Sequence, residues 1–407
     1  MALFNQKLDL KEILHQIPDD EIVRISKKSN VNRYAKVLDG KLMFYLLLLG
    51  ILRTDKLSQR GLSDLFSSPL FRTLFNFTGK KTLSHSSISD RLATMDVDFF
   101  RITYETIYKM FDSLYNEREI SGLCLQRVDS SLVVESSNRL KQGMTCGNEH
   151  GKKKMMKYTI NYDGFFPSFC SVHSEEKYAS ETLALTDNVL GHFRKPPNHS
   201  TVYVFDRGQS SADSFKRMDE LEDLKFVGRL AENRKLEFVE DIRREDEVFE
   251  YGELLEDKLV KLYKNKDTIS KNGKPSHKRI LVDQVFRIIR FRTSKGLEML
   301  LITNCMDLSA SEIAGIYRRR WDIEVFFRFI KQELNFSHFL SLNENGIQII
   351  LYMTMITAML VMIYKRKNEI GYTTAVRRMG MELESLVMAI VVIESGGDLK
   401  KTELGDP

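Results

Sequence analysis

The sequence holds only four cysteines, Cys124, Cys146, Cys170 and Cys305, and no two of them form a C-x-x-C pair. That scatter argues against a zinc site and suits a reduced cytosol. Proline is scarce too, seven in 407 residues, and Trp321 is the sole tryptophan. There is no low-complexity linker and no internal repeat, so the composition is that of an ordered protein. The opening MALFNQKLDLKEIL lacks both a cationic start and a continuous apolar run, which points away from secretion and towards a cytoplasmic location. One run, Gly346 to Tyr364, has the length to cross a bilayer, but Gln348, Thr354 and Thr357 interrupt it and no second candidate accompanies it. We read it as a helix buried behind a sheet, with no membrane involved.

Hydrophobic residues make up 43% and charged residues 29% of a length that allows two or three domains. Net charge is only +5 and is unevenly spread. Residues 1 to 60 carry eleven Lys or Arg against seven Asp or Glu; residues 258 to 295 carry twelve against Asp267 and Asp283, an excess of ten. Such patches are the electrostatic footprint of a polyanion. A solvated surface explains the first equally well and the second less readily.

The first 119 residues read as helical. KLMFYLLLLGIL is a buried helix, and LSQRGLSDLFSS and LSHSSISDRLATM each set serines ahead of a short amphipathic run. Ser84 to Met95 resembles the turn and recognition helix of a helix-turn-helix, with Ser87, Ser89 and Arg91 available to DNA; two short helices packed on a core give the same pattern. From Gly122 the period changes. GLCLQRVDSSLVVE is a strand, a basic loop at Lys152, Lys153 and Lys154 follows, and MMKYTINYDG and PSFCSVHS complete a three-strand meander. ETLALTDNVL is a helix. In TVYVFDRG the run Val202 to Phe205 has no polar alternation, the mark of a central strand buried on both faces, and Asp206 ends it. SADSFKRMDELED and LKFVGRL add a helix and a strand, and LVKLYKN, KRILVDQVFRIIRFRT and EMLLITNC are further strands.

A single helix is expected from Ser309 to Leu334. Ser309 and Glu312 stand three apart as a capping box at its start. At about 100° per residue, Tyr317, Arg320, Glu324, Arg328 and Lys331 share one polar stripe, beside an apolar arc of Ile316, Ile323, Phe326, Phe327, Ile330 and Leu334. On the helix alone this is a solvated charged face, and the Arg320–Glu324 pair is worth a few tenths of a kcal/mol. Trp321 reads as a packing residue rather than a base contact.

Tyr317, Arg320, Glu324 and Lys331 match without a gap the Y-R-E-K signature of a large group of bacterial insertion-sequence transposases, the IS-four type. The sequence resembles a DDE transposase from about Gly122 to Tyr364. The resemblance implies an α/β fold, a ribonuclease-H-like mixed-sheet catalytic core with a β-rich insertion and an N-terminal helical domain. It implies three metal-binding carboxylates, Glu324 with Asp129 on the first strand and Asp206 after the fourth. It assigns Tyr317 and Arg320 to the transposon end and Lys331 to the strand beside the scissile phosphate; Arg328, outside the signature, is a lesser candidate because it shares their face. The implied division is a DNA-binding domain at 1–119, a catalytic core at 120–230 and 307–370, the insertion at 231–306 and a helical tail at 371–407.

Phosphoryl transfer gives those carboxylates a reason. A carboxylate on an apolar strand costs several kcal/mol unless a cation neutralises it, and hard oxygen ligands favour Mg²⁺, with Mn²⁺ as a substitute. Two ions about 4 Å apart can activate the attacking oxygen and stabilise the leaving one. Strand-end and turn hydrogen bonds account for Asp129 and Asp206 singly, and far less well together. The expected activity is cleavage at transposon ends and joining of the 3′-hydroxyl to target DNA, by a homodimer that holds two ends. Some members stack a flipped base on a tryptophan in the insertion; here Phe286, Phe291 or Trp321 would have to serve. A non-catalytic repressor derived from such an element, or a nuclease of the same fold, are the alternatives.

Overall fold

The structure, a computed structural model, describes residues 9–53, 57–75, 79, 82–115, 123–135, 139–146, 153–193, 200–244, 248–269 and 275–394. The boundary at 119, Lys152 of the basic loop and residues 395–407 of the tail lie outside the described residues.

Among the described residues the chain begins with seven helices: α1 (Leu10–His15), α2 (Asp19–Lys28), α3 (Gly40–Leu52), α4 (Gln59–Ser67), α5 (Pro69–Leu74), α6 (His85–Thr94) and α7 (Val97–Tyr115). Their starts are chemically marked. Asp39, Ser58 and Ser84 each accept a backbone N–H from the first turn of α3, α4 and α6, which satisfies a donor that has no partner within the helix. Arg91, expected to face DNA, is used inside the fold instead. Its guanidinium donates to the carbonyls of Leu38 at 3.0 Å, Val31 at 2.7 Å and Arg33 at 3.3 Å, which ties α6 to the loop ahead of α3.

Strands β1 (Leu123–Val134), β2 (Met144–Cys146), β3 (Lys153–Tyr162) and β4 (Pro167–His173) follow, then α8 (Glu181–His192), β5 (Ser200–Val204), α9 (Ala212–Asp219) and β6 (Leu224–Leu230). The expected meander is present as β1, β3 and β4, paired antiparallel, and β5 runs parallel to β1. Lys153 and Lys154 lie on β3 rather than in a loop. Four more strands, β7 (Leu236–Asp241), β8 (Glu253–Ile269), β9 (Pro275–Arg292) and β10 (Glu298–Thr303), extend the same sheet, because β10 pairs antiparallel with β6. The sheet order is β2-β3-β1-β5-β6-β10-β9-β8-β7, with β4 also on β3.

The register of β8 and β9 neutralises part of the basic stretch 258–295. Antiparallel pairing sets Glu253 opposite Arg292 and Glu256 opposite Arg290, so the acidic start of one strand lies on the basic end of the other. Arg287 pairs with Asp257, Arg290 and Lys258 with Glu256, Arg292 with Glu253 and Glu298, and Lys264 with Asp213.

The chain ends in α10 (Ala310–Arg318), α11 (Trp321–Glu333), α12 (Glu344–Lys367) and α13 (Tyr372–Glu394). The capping box at Ser309 and Glu312 forms as expected. The single helix does not. It breaks at Arg319–Arg320, where the amides of Arg319, Arg320, Asp322 and Ile323 each bond a carbonyl three residues back, a turn of 3₁₀ type. The break lets α10 and α11 serve different cores. On one face of the sheet Leu125, Val202, Val204, Val227 and Leu301 pack on Ile313, Ala314 and Ile316 of α10; on the other, Val128, Tyr203 and Phe226 pack on Leu185, Val189, Phe215 and Met218 of α8 and α9. Val202 to Phe205 are buried on both faces, as their pattern requires. A third core joins β3, through Tyr158 and Ile160, to α11, α12, α13 and the N-terminal helices. There α12, the apolar run, is packed inside protein, and its Thr354 and Thr357 hydroxyls donate to the Ile350 and Met353 carbonyls at 2.8 Å.

Candidate active site

Register places the two aspartates. Arg127 of β1 lies beside Val204 of the parallel β5, and Asp129 and Asp206 each follow two residues later, so they emerge together at the same end of neighbouring strands. By the alternation of a strand, Asp129 shares a face with Leu125 and Arg127, and Asp206 with Val202 and Val204, the face that α10 covers. Burial pushes the Asp129 carboxyl up to about 6; Glu181 and Asp206 push the same way, while the Ser130 N–H, which donates to its Oδ1 at 2.8 Å, and Arg320 oppose them.

The α10–α11 turn supplies the opposite side. Tyr317, buried at the end of α10, donates its hydroxyl to Asp206 Oδ1 at 3.1 Å. Burial and the Asp206 charge push that phenol up to about 12, so it stays a donor at every physiological pH. Arg320 pairs with Glu324 on the first turn of α11, and its charge also bears on Asp129 and Asp206. One guanidinium therefore serves three carboxylates. The turn after Asp206 is held against α8: Thr182 Oγ1 donates to the Gly208 carbonyl at 2.6 Å, and a Cβ on Gly208 would stand 2.4 Å from Glu181 Cγ. A side chain at position 208 would therefore displace the Glu181 side chain.

The donor chemistry fits a hard divalent cation. Asp129 is short of positive charge, and all three side chains offer carboxylate oxygen. As the side chains stand, no group of three His, Cys, Asp or Glu among the described residues is close enough together to hold an ion, and Glu324 is engaged by Arg320.

The sequence model of the family described as the transposase DDE domain matches residues 122–360, more than half of the chain and the whole span from β1 through most of α12. The chain belongs to the DDE transposase family. Among curated proteins it is 25% identical over 314 residues to one assigned as the transposase of insertion sequence element IS4SA of Synechocystis, covering 75% of this chain and 78% of that one. Shorter stretches are 39% identical over 61 residues to a protein assigned to element IS5377 of Geobacillus stearothermophilus and 37% identical over 84 residues to a Sinorhizobium fredii transposase. Those two matches span only 16% and 24% of the relatives' own lengths. Among solved structures, a piggyBac transposase synaptic complex with hairpin DNA aligns over 99% of this chain and 85% of that one, at 10% identity and a TM-score of 0.48.

Within this family member, Asp129, Asp206, Tyr317, Arg320 and Glu324 come together, whereas Arg328 and Lys331 lie farther along the exposed side of α11, with the Lys331 ammonium 5.6 Å from the Phe327 ring. Three aromatic expectations change. Phe286 and Phe291 are buried at 0% and 3% exposure and cannot meet a base, while Trp321 is 54% exposed at the start of α11 and is not a packing residue. Sequence reasoning also missed Arg127, Lys157 and Glu181. Lys157 is buried and pairs with Glu181 at 3.2 Å. The available signal was parity: a charged residue two before Asp129, on the same face of an apolar strand.

Proposed function

We propose that the protein is a DNA transposase that cuts at the ends of its own element and joins the freed 3′-hydroxyl to target DNA. The reading rests on one observation: carboxylates from β1, from the end of β5 and from α11 converge on Arg320 in a chain of the DDE family. A mixed sheet with β1, β5 and β6 parallel, β3 and β4 antiparallel and α8 between supports a ribonuclease-H-like core. With Asp129, Asp206 and Glu324 holding two Mg²⁺ ions, or Mn²⁺ in their place, the metal would supply activation of the attacking oxygen and stabilisation of the leaving one. Tyr317 fixes the rotamer of Asp206 through its hydrogen bond. Arg320 holds Glu324 until a DNA phosphate competes for the guanidinium; phosphate binds arginine as well as a carboxylate does. Lys331 and Arg328 extend the cationic line by about 16 Å from Arg320, taking about 1.5 Å per residue, enough to follow several nucleotides. Trp321 is the exposed aromatic available to stack on a base. Two ends must be held at once, which calls for a homodimer.

The test is a supercoiled-plasmid assay with the element's own ends, Mg²⁺ or Mn²⁺, and Glu324→Gln alongside. The expected result is excised element and joined product that require both metal and Glu324. Cutting without joining would replace the reading with a nuclease, and end binding without cutting with a repressor.

A further inference from the structure

We propose that Arg127 is a positioning residue of this site: from the strand that bears Asp129, its guanidinium sets the turn that aims Arg320 and Glu324. The inference rests on the transposase reading for its chemistry and on the geometry for its residue. Arg127 has 0% exposure in the middle of β1, two residues before Asp129. Its Nε donates to the Arg319 carbonyl at 3.1 Å and its Nη2 to Asp322 Oδ2 at 3.1 Å. Those two acceptors bracket Arg320 and Trp321, the residues at which α10 ends and α11 begins.

A buried guanidinium is an expensive way to fill space. Taking it out of water costs several kcal/mol, and an apolar side chain of similar volume is often neutral or stabilising in its place. What the guanidinium supplies is direction. Within the turn the Arg319 carbonyl accepts from the Asp322 amide at 3.2 Å, and Arg127 adds a second bond to the same oxygen from the sheet below. Its second arm fixes Asp322 in the first turn of α11, two residues before Glu324 and on the residue after Trp321. The seam between α10 and α11 is also where the chain passes from one core to another, so apolar packing on either side leaves the angle between the helices underdetermined. With the clamp, Asp129 and Glu324 are referred to the same side chain. Without it, a small rotation of α11 about its axis would carry Glu324 away from the aspartates, and misplacement by about 1 Å can cost a catalytic site on the order of 100-fold.

Trp321 makes the clamp observable. It is the only tryptophan, half-exposed, and three residues before Glu324, so quenching of its fluorescence by Mn²⁺ reads metal affinity at the carboxylates. Arg127→Met, Arg127→Lys and Asp322→Asn would be compared with wild type for Mn²⁺ quenching with end DNA present, for end cleavage, and for thermal melting. The expected result is that Arg127→Met melts within a few degrees of wild type, binds end DNA normally, and loses about 10-fold to 100-fold in Mn²⁺ affinity and in cleavage. Asp322→Asn, which spares the Arg319 contact, should fall between it and wild type. Arg127→Met with wild-type Mn²⁺ affinity and cleavage would overturn the proposal. If Arg127→Met does not fold, Asp322→Asn decides, because Asp322 is 47% exposed and its loss leaves the core intact; wild-type values there overturn it equally. A wild type that binds Mn²⁺ but never cleaves, with affinity weakened by the variants, would keep the clamp and discard the transposase reading. A wild type that neither binds Mn²⁺ nor cleaves removes both.

Discussion

Asp129→Asn is expected to abolish strand cleavage, by about 10³-fold or more, and at the same time to make the metal-free protein more stable. Burial holds the Asp129 carboxyl at about 6 in the folded state, against about 3.9 when unfolded. Between those values the native state binds more protons than the unfolded chain, so stability falls as pH rises through the window. The penalty is absent below about pH 4 and complete above about pH 6, where two pKa units correspond to roughly 3 kcal/mol. Asparagine removes the charge and therefore the penalty. Urea unfolding in EDTA should place Asp129→Asn above wild type at pH 7.5, with the gap closing towards pH 4. A variant less stable than wild type at pH 7.5 would mean that Asp129 is held by structural bonds rather than strained in wait of a cation. At metal concentrations below saturation, cleavage by wild type should itself decline as pH drops through about 6, because the proton competes with the cation for the carboxyl, and more metal should move the decline to lower pH.

Asp257→Ala should be the most destabilising single change on the sheet, by about 3–5 kcal/mol. Asp257 has 0% side-chain exposure and Arg287 6%, and they bond twice, at 2.8 and 2.6 Å. Arg287 also donates to the Leu308 carbonyl, immediately before the Ser309 cap. Removing the carboxylate strands a positive charge inside protein, whereas replacing both, as Asp257→Leu with Arg287→Met, removes the need for either and should lie near wild type. The double-mutant cycle in chemical denaturation checks it. Additive losses would show that the two groups are independently solvated. Because the pair links β8 and β9 to the start of α10, the single variant should also lower end cleavage more than its loss of stability explains.

The three carboxylates came from the resemblance, not from local chemistry: on the helix alone Glu324 is part of a solvated charged face, and Asp129 and Asp206 singly read as strand-end and turn residues. The break at Arg319–Arg320 was not legible, since a single 3₁₀ turn rotates the following residues by about 20° per residue relative to an α-helix and leaves the apolar pattern on both sides intact. Trp321 was misread for another reason: on a continuous wheel at about 100° per residue it lies about 40° from Tyr317, on the polar side, and only its residue type suggested packing. The acid–base pairing of β8 with β9 was invisible for a different reason. Counting charges in a window of sequence cannot see a strand some thirty residues away, and Glu253 meets Arg292 only through the register. Arg127 was overlooked because a strand arginine is ordinarily a surface residue; its role depends on which face meets α10 and α11.

The third core has a consequence for how the chain is made. Leu46 to Leu49 of α3 and Phe100 and Phe111 of α7 share that core with Ile349 to Ile363 of α12, yet α7 ends at Tyr115 and α12 begins at Glu344. At about 5–20 residues per second, the ribosome leaves the first helices without their partner for on the order of ten to fifty seconds. Apolar surface stays open through that interval, an invitation to chaperones and to self-association. A copy whose reading frame is cut before Glu344 never closes it. Residues 1–119 expressed alone should accordingly collect in the insoluble fraction, and an element decayed by early truncation would leave an aggregating fragment rather than a free-standing DNA binder.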